Sequence, residues 1–178
     1  MANPEHVLIL DEGVDAWNSW RDKQPDLVPD LSGIDLTGRF LQAINFSGVN
    51  LKESFLCVCE LDSAVLDDAD LSGASLTGAD LNVVSAIRTN FEGADLSFAN
   101  LSFAKLDESV FDGCRLSEAI LFNCKIRNAS FKEARMRDTI LTGSDFTGSN
   151  FKGALLKNLI SDGAILPMGM PKPERTAR

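Results

Sequence analysis

Large apolar residues return at every fifth position from Leu31 to Leu156 without an insertion or deletion. The register starts Leu31, Leu36, Leu41, Phe46, ends Phe146, Phe151, Leu156, and holds 26 positions, of which only Ala86 is small. A small residue stands two places before most of them, as at Ala64, Ala69, Ala74, Ala79, Cys114, Ala119 and Ala134. A period of five matches neither the 3.6 of a helix nor the 2.0 of a strand, so no single amphipathic element keeps these positions on one side. The pattern predicts a coiled repeat. If each pentad forms one short side and turns a corner, four close a turn of twenty residues, and successive turns stack by backbone hydrogen bonds at about 4.8 Å per layer, giving a rod of roughly 31 Å. The central residue and the small one before it point inward, because four sides share a narrow, densely packed interior.

Reading at twenty-residue spacing gives four inner columns. One is Leu36, Leu56, Leu76, Leu96, Leu116, Met136, Leu156, and the next is Leu41, Leu61, Leu81, Leu101, Leu121, Leu141. The third contains Phe46, Leu66, Ala86, Leu106, Ile126 and Phe146. The fourth runs Leu31, Leu51, Leu71 and then Phe91, Phe111, Phe131, Phe151, which predicts a ladder of stacked rings. The volume missing at Ala86 is partly returned by Val84, which replaces the usual small residue of that pentad.

Pentads of the form ADLSG, ASLTG, ADLSF and SDFTG resemble the pentapeptide-repeat family, over about 126 of the 178 residues. The resemblance implies an all-β solenoid, a right-handed quadrilateral β-helix of about 26 repeats in six to seven coils. It supplies the handedness and the square section, which periodicity alone does not. The lead-in GVDAWNSWRDKQPDLVPDLSG is also similar to the segment preceding the repeats in bacterial, notably cyanobacterial, members, and this carries no assigned activity.

The organisation expected is an N-terminal capping helix and linker over 1–28, the β-helix over 29–158, and a closing segment with a disordered tail over 159–178. Residues 4 to about 23 read as one helix, with Asn3 as N-cap, Pro4 at the first position and an apolar stripe of Val7, Leu10, Val14 and Trp17. It would cover the open end of the rod, since a solenoid's terminal repeat needs a cap, or bind a ligand through Trp17 and Trp20. Leu159 and Ser161 break the size pattern, so the closing segment reads either as a last coil or as a short helix. The run Val7-Leu8-Ile9-Leu10 is too short for a signal peptide or membrane span, and a cytoplasmic, membrane-free protein is expected. Cys59, Cys114 and Cys124 fall on inward sites as buried hydrophobes, whereas Cys57 points out, making neither a metal clip nor a disulfide.

Catalytic chemistry is missing from the pattern. There is one histidine, His6, and no tyrosine; the glycines mark pentad corners, with no phosphate loop among them. Asp70, Asp80, Asn90, Asp95, Asn100 and Asn150 repeat in register before the central residue, where they serve corner hydrogen bonds. No enzyme, cofactor or metal site is expected, and a filled rod offers no cleft.

Function is therefore expected on outward positions. Phe103, Ile120, Phe122 and Ile140 share the side whose inner residues are Leu101, Leu121 and Leu141, with Phe98 at the adjoining corner. Contiguous exposed apolar residues mark an interface, for a protein partner or a second copy in a homodimer, unless the closing segment folds over them. Charge divides along the axis: 29–112 has 14 acids and four bases, 113–158 four acids and eight bases. Glu60, Asp62, Asp67, Asp68, Asp107 and Glu108 make an acidic patch; Arg115, Arg135, Arg137 and Lys157 share one basic side. The resemblance brings in one further role, that of acidic family members that imitate DNA and bind DNA gyrase. Full imitation over 31 Å would need roughly 18 negative charges, more than the net −6 of residues 29–158. A protein-binding scaffold is the first expectation and gyrase mimicry the second. Net charge and the lack of interleaved base-stacking aromatics oppose direct nucleic-acid binding.

Overall fold

The computed structural model describes residues 1–172. Two helices, α1 (Pro4–Asp11) and α2 (Val14–Lys23), precede a ladder of parallel bridges that joins each residue to the one twenty places on, from Asp30↔Asn50 to Asp145↔Ile165. Most sides contribute a single bridging residue, so among the described residues only two segments form strands, β1 (Arg135–Arg137) and β2 (Leu155–Lys157), paired in parallel.

The corners explain the period. At most of them the carbonyl of the central residue accepts from the N–H three places on, as in Ile34 N to Leu31 O at 3.2 Å and Ala74 N to Leu71 O at 3.0 Å. The residue two after the centre takes a left-handed φ, between +50° at Val58 and +76° at Gly148. Turns of this kind need φ > 0 at that place, which is why glycine recurs there. Asp or Asn at the bridge position locks the corner from outside: Asp70, Asp80, Asn90, Asp95, Asn100 and Asn150 each accept the N–H two residues on, at 3.0–3.1 Å. These carboxylates and amides hold the repeat's own backbone.

Every central residue from Leu31 to Leu156 is buried. In the fourth column the rings of Phe91, Phe111, Phe131 and Phe151 stack nearly parallel, with centroids 5.0, 4.7 and 4.7 Å apart. Polar residues at the small inward site are mostly satisfied by the coil below, with Ser54 donating instead to Leu51 O of its own pentad. The Cys59, Cys114 and Cys124 thiols donate to the carbonyls of Leu36, Phe91 and Leu101 at 2.7–2.9 Å, and the Thr89 and Thr139 hydroxyls do likewise to Leu66 and Leu116. Burial pushes the Cys114 thiol up to about 12 and Cys124 to about 11, leaving both neutral and inert.

Val84 and Ala86 are both fully buried. Val84→Ala is therefore expected to cost about 3 kcal/mol, more than its two lost methyl groups alone, because the cavity opens beside an already small neighbour. A loss below about 1 kcal/mol in denaturant melts would contradict this packing.

At the ends the structure corrects the sequence reading. The N-terminal helix is two: Gly13, at φ +105°, breaks it. The break turns Trp17 into the core, fully buried, with its indole N–H on Asn45 O at 2.8 Å and its ring edge-on to Phe46. Asn18 Oδ1 accepts from Asn45 N, His6 Nδ1 accepts from Asp30 N, Asn3 N donates to Asp30 O, and the buried Arg21 donates to Leu27 O and Ser47 O. The Asp30, Asn45 and Ser47 groups belong to the first coil and are ones that an earlier coil would have paired.

The bridged coil also continues beyond 158, to Ile165, and the segment after Leu156 is not helical. Leu159 and Ser161 repeat the inversion seen at Val84 and Ala86, a large residue at the small site beside a small one at the centre, and Leu159 packs against the core. Met170 N bonds Pro167 O, and Met170 packs on the same core. The part of the tail expectation that falls on 173–178 lies outside the described residues.

Candidate functional site

The side of the rod centred on Leu41, Leu61, Leu81, Leu101, Leu121 and Leu141 is flanked by two corner columns. One contains Val58 and Phe98, the other Val83 and Phe103. All four have left-handed φ, from +50° to +61°, and all are 51–59% exposed. Most other non-glycine corner residues are small, polar or charged, such as Ala43, Ser63, Asn123, Asn128 and Asp138. A β-branched or bulky side chain in this conformation costs on the order of 1–2 kcal/mol, and here about half of each side chain is left open to solvent.

Between the corners the apolar surface is continuous in its C-terminal half. Phe122 is half-buried and meets Phe103 edge to face, centroids 5.4 Å apart. Ile120, Ile140 and Ile160 are successive bridge partners. Ile120 and Ile140 are half-buried and Ile160 exposed, so the five residues expected from the sequence lie on this side or its corner but differ in accessibility. Val58, Val83, Ile160 and the 70%-exposed Phe40 extend the surface beyond them. Twenty-residue spacing from Phe103 and Ile140 leads to Val83 and Ile160, and the glycine-rich corner column leads to Val58. The described part of the closing segment leaves Phe98 and Phe103 open.

The acidic patch is less free than its composition implies. Asp68 takes Arg88 in two hydrogen bonds of 2.7 Å, and the guanidinium holds its carboxyl below the usual range. Asp107 accepts from the Arg127 side chain and backbone at 3.0 Å. Asp67 accepts from Ser85 Oγ and Ile87 N, both at 2.8 Å, and Glu60 accepts from Gln42. The Asp62 and Glu108 carboxylates make no hydrogen bond or salt bridge among the described residues, although Glu108 acts electrostatically on Arg88. Asp95–Arg115 and Asp112–Lys132 are further pairs between residues one coil apart, so opposite charges meeting twenty residues on is a recurring device of this surface.

Among the described residues no cluster of three or more His, Cys, Asp or Glu gathers as metal ligands, and no helix is long and apolar enough to cross a membrane.

Sequence comparison matches the pentapeptide repeat region signature over residues 84–159 and the signature of pentapeptide repeats (8 copies) over 44–82. The chain belongs to the pentapeptide-repeat family. No curated protein matches it. Solved pentapeptide-repeat structures are similar to it at low identity. Trypsin-treated QnrB1, a plasmid-mediated fluoroquinolone resistance protein, is 21% identical over 83% of this chain and 76% of its own, with a TM-score of 0.48. HetL, involved in heterocyst differentiation regulation in the cyanobacterium Nostoc sp. strain PCC 7120, is 20% identical over 84% and 91%, TM-score 0.30. Rfr23 from the cyanobacterium Cyanothece 51142 is 21% identical over 83% and 96%, TM-score 0.36. At these values the likenesses carry no functional argument for this pentapeptide-repeat protein.

Proposed function

We infer that this protein is a non-catalytic scaffold. A right-handed rod of about 26 pentads, capped by α1 and α2, presents one side to a protein partner. The observation that carries the reading is the placement of Val58, Val83, Phe98 and Phe103: four exposed apolar side chains in left-handed corners around one side. An arrangement that costs the free chain stability is accounted for if a partner buries it. With Phe122, Ile120 and Ile140 these residues form the interface, and a second copy is one candidate occupant. The four free cysteines fit a reducing cytoplasm.

DNA mimicry toward gyrase is the second reading, supported by the acid-rich half of the rod. The pairing of Asp68 with Arg88 and of Asp107 with Arg127 lowers the free negative charge available for it. Affinity capture from a bacterial lysate, with sedimentation velocity of the purified protein, separates the two. The scaffold reading expects one dominant bound protein, or self-association, that is lost in Phe103→Asp/Phe122→Asp and kept in Asp67→Lys/Asp68→Lys. Gyrase subunits lost only in the charge variant would replace it with mimicry. Binding unchanged in the aromatic variant would remove the apolar side from the account.

A further inference from the structure

Near its C-terminal end the rod departs from the pairing of opposite charges between coils. Arg137 stands directly across from Lys157 in the β1–β2 register, and Arg115 bridges to Arg135. Like charges directly opposite on paired strands destabilise them. Lys105↔Lys125 is also a like-charged pair, but there Asp145 follows on Lys125. On the β1–β2 side the next position after Arg135 is Leu155, which supplies no charge. Arg115 is held by Asp95 at 3.5 Å and Arg137 by Asp138 at 3.0 Å. Lys157 adds its charge to that of Arg137 beside the one carboxylate of Asp138, and Arg135 and Lys172 have no hydrogen-bonded or ion-paired acid among the described residues.

These unbalanced cations share one cavity. Where the tail crosses the end of the rod, Pro171 and Lys172 stand over β1 and β2 and enclose about 490 Å³ with Arg135, Arg137, Leu155 and Lys157. That volume is in the range of small-molecule sites. Its walls are of two kinds. Leu155, 64% exposed, and Pro171 offer apolar surface, while two arginines and two lysines line the same space. Guanidinium pairs suit planar or tetrahedral anions, which accept two parallel hydrogen bonds from each fork.

We propose that this notch binds a small amphipathic anion, a carboxylate or phosphate on an apolar body. The anionic group bridges Arg135 and Lys157 with Lys172 closing from the tail, and the body lies against Leu155 and Pro171. The bound anion relieves the Arg137–Lys157 and Arg115–Arg135 repulsions, so binding and stability are coupled. The site is independent of the apolar side proposed for protein binding.

Anilinonaphthalene sulfonate, an aromatic body with one fixed negative charge, is the probe, titrated by fluorescence into the full chain. One saturable site is expected, weakening with salt. Arg135→Gln/Lys157→Gln is expected to weaken it at least tenfold, and Lys172→Gln, outside the ladder, at least threefold without change in melting temperature. Phe103→Asp/Phe122→Asp should leave the affinity unchanged, and uncharged N-phenylnaphthylamine should bind at least tenfold more weakly. Lys157→Glu, which places an acid opposite Arg137, should lose the probe while melting higher than wild type. Unchanged affinity in both the Arg135/Lys157 and Lys172 variants, or equal binding of the uncharged analogue, overturns the proposal.

Discussion

Phe131→Ala is expected to cost about 5 kcal/mol, at the top of the range for a buried aromatic truncation. Phe131 is fully buried and stacks on Phe111 and Phe151, both at 4.7 Å, and it meets Phe146 edge to face at 5.8 Å. Removing the ring leaves a void in a column that neighbouring backbones, pinned by ladder hydrogen bonds, cannot close. It also cuts a run of four rings, each contact worth about 0.5–1.5 kcal/mol beyond area burial. Because a solenoid's stability is a sum over neighbouring coils, the loss should appear first as exchange of amides C-terminal to the gap. Phe131→Leu, restoring the leucine used elsewhere in that column, should cost only about 1–2 kcal/mol. Denaturant melts placing the two variants level would mean the ring stack adds nothing to the rod.

Trp17→Ala is the second large effect, about 4 kcal/mol, and acts at the other end. The indole fills the mouth of the first coil and donates to Asn45 O, and its neighbours Asn18 and Arg21 bond Asn45 N and Ser47 O. Truncation should free the first-coil amides to exchange along with α1 and α2. Trp17→Phe keeps most of the volume and loses the single hydrogen bond, so about 1 kcal/mol is expected. If Trp17→Ala unfolded no more readily than Trp17→Phe, the helices would be an appendage and not the end of the core.

The period of five made the coil and its inward residues readable, since only one register buries Leu31 through Leu156. The corner role of Asp70 or Asn100 was also legible, because their placement repeats with the turn. Other features needed the fold. The break at Gly13 is a single positive φ inside an otherwise continuous apolar stripe. His6 and Arg21 are polar residues that reach backbone groups 24 and 26 residues away. The neutralisation of Asp68 by Arg88 follows from column spacing, yet a regional charge count does not register it. Leu159 and Ser161 break the size pattern when each is taken singly, whereas together they conserve volume. The apolar surface was half legible: Phe98 and Phe103 stand out as aromatics, while Val58 and Val83 become notable only once their corner conformation is known.

That corner conformation is what the functional reading depends on, and Val58→Gly/Val83→Gly/Phe98→Gly measures it. Glycine removes the left-handed penalty at each site, against its own larger entropy in the unfolded chain, for a net gain of up to about 1 kcal/mol per site. The triple variant should melt at or above the wild-type temperature and lose self-association or partner capture. A fall in melting temperature with binding intact would contradict the account, since the three replaced residues would then serve the rod and not a partner.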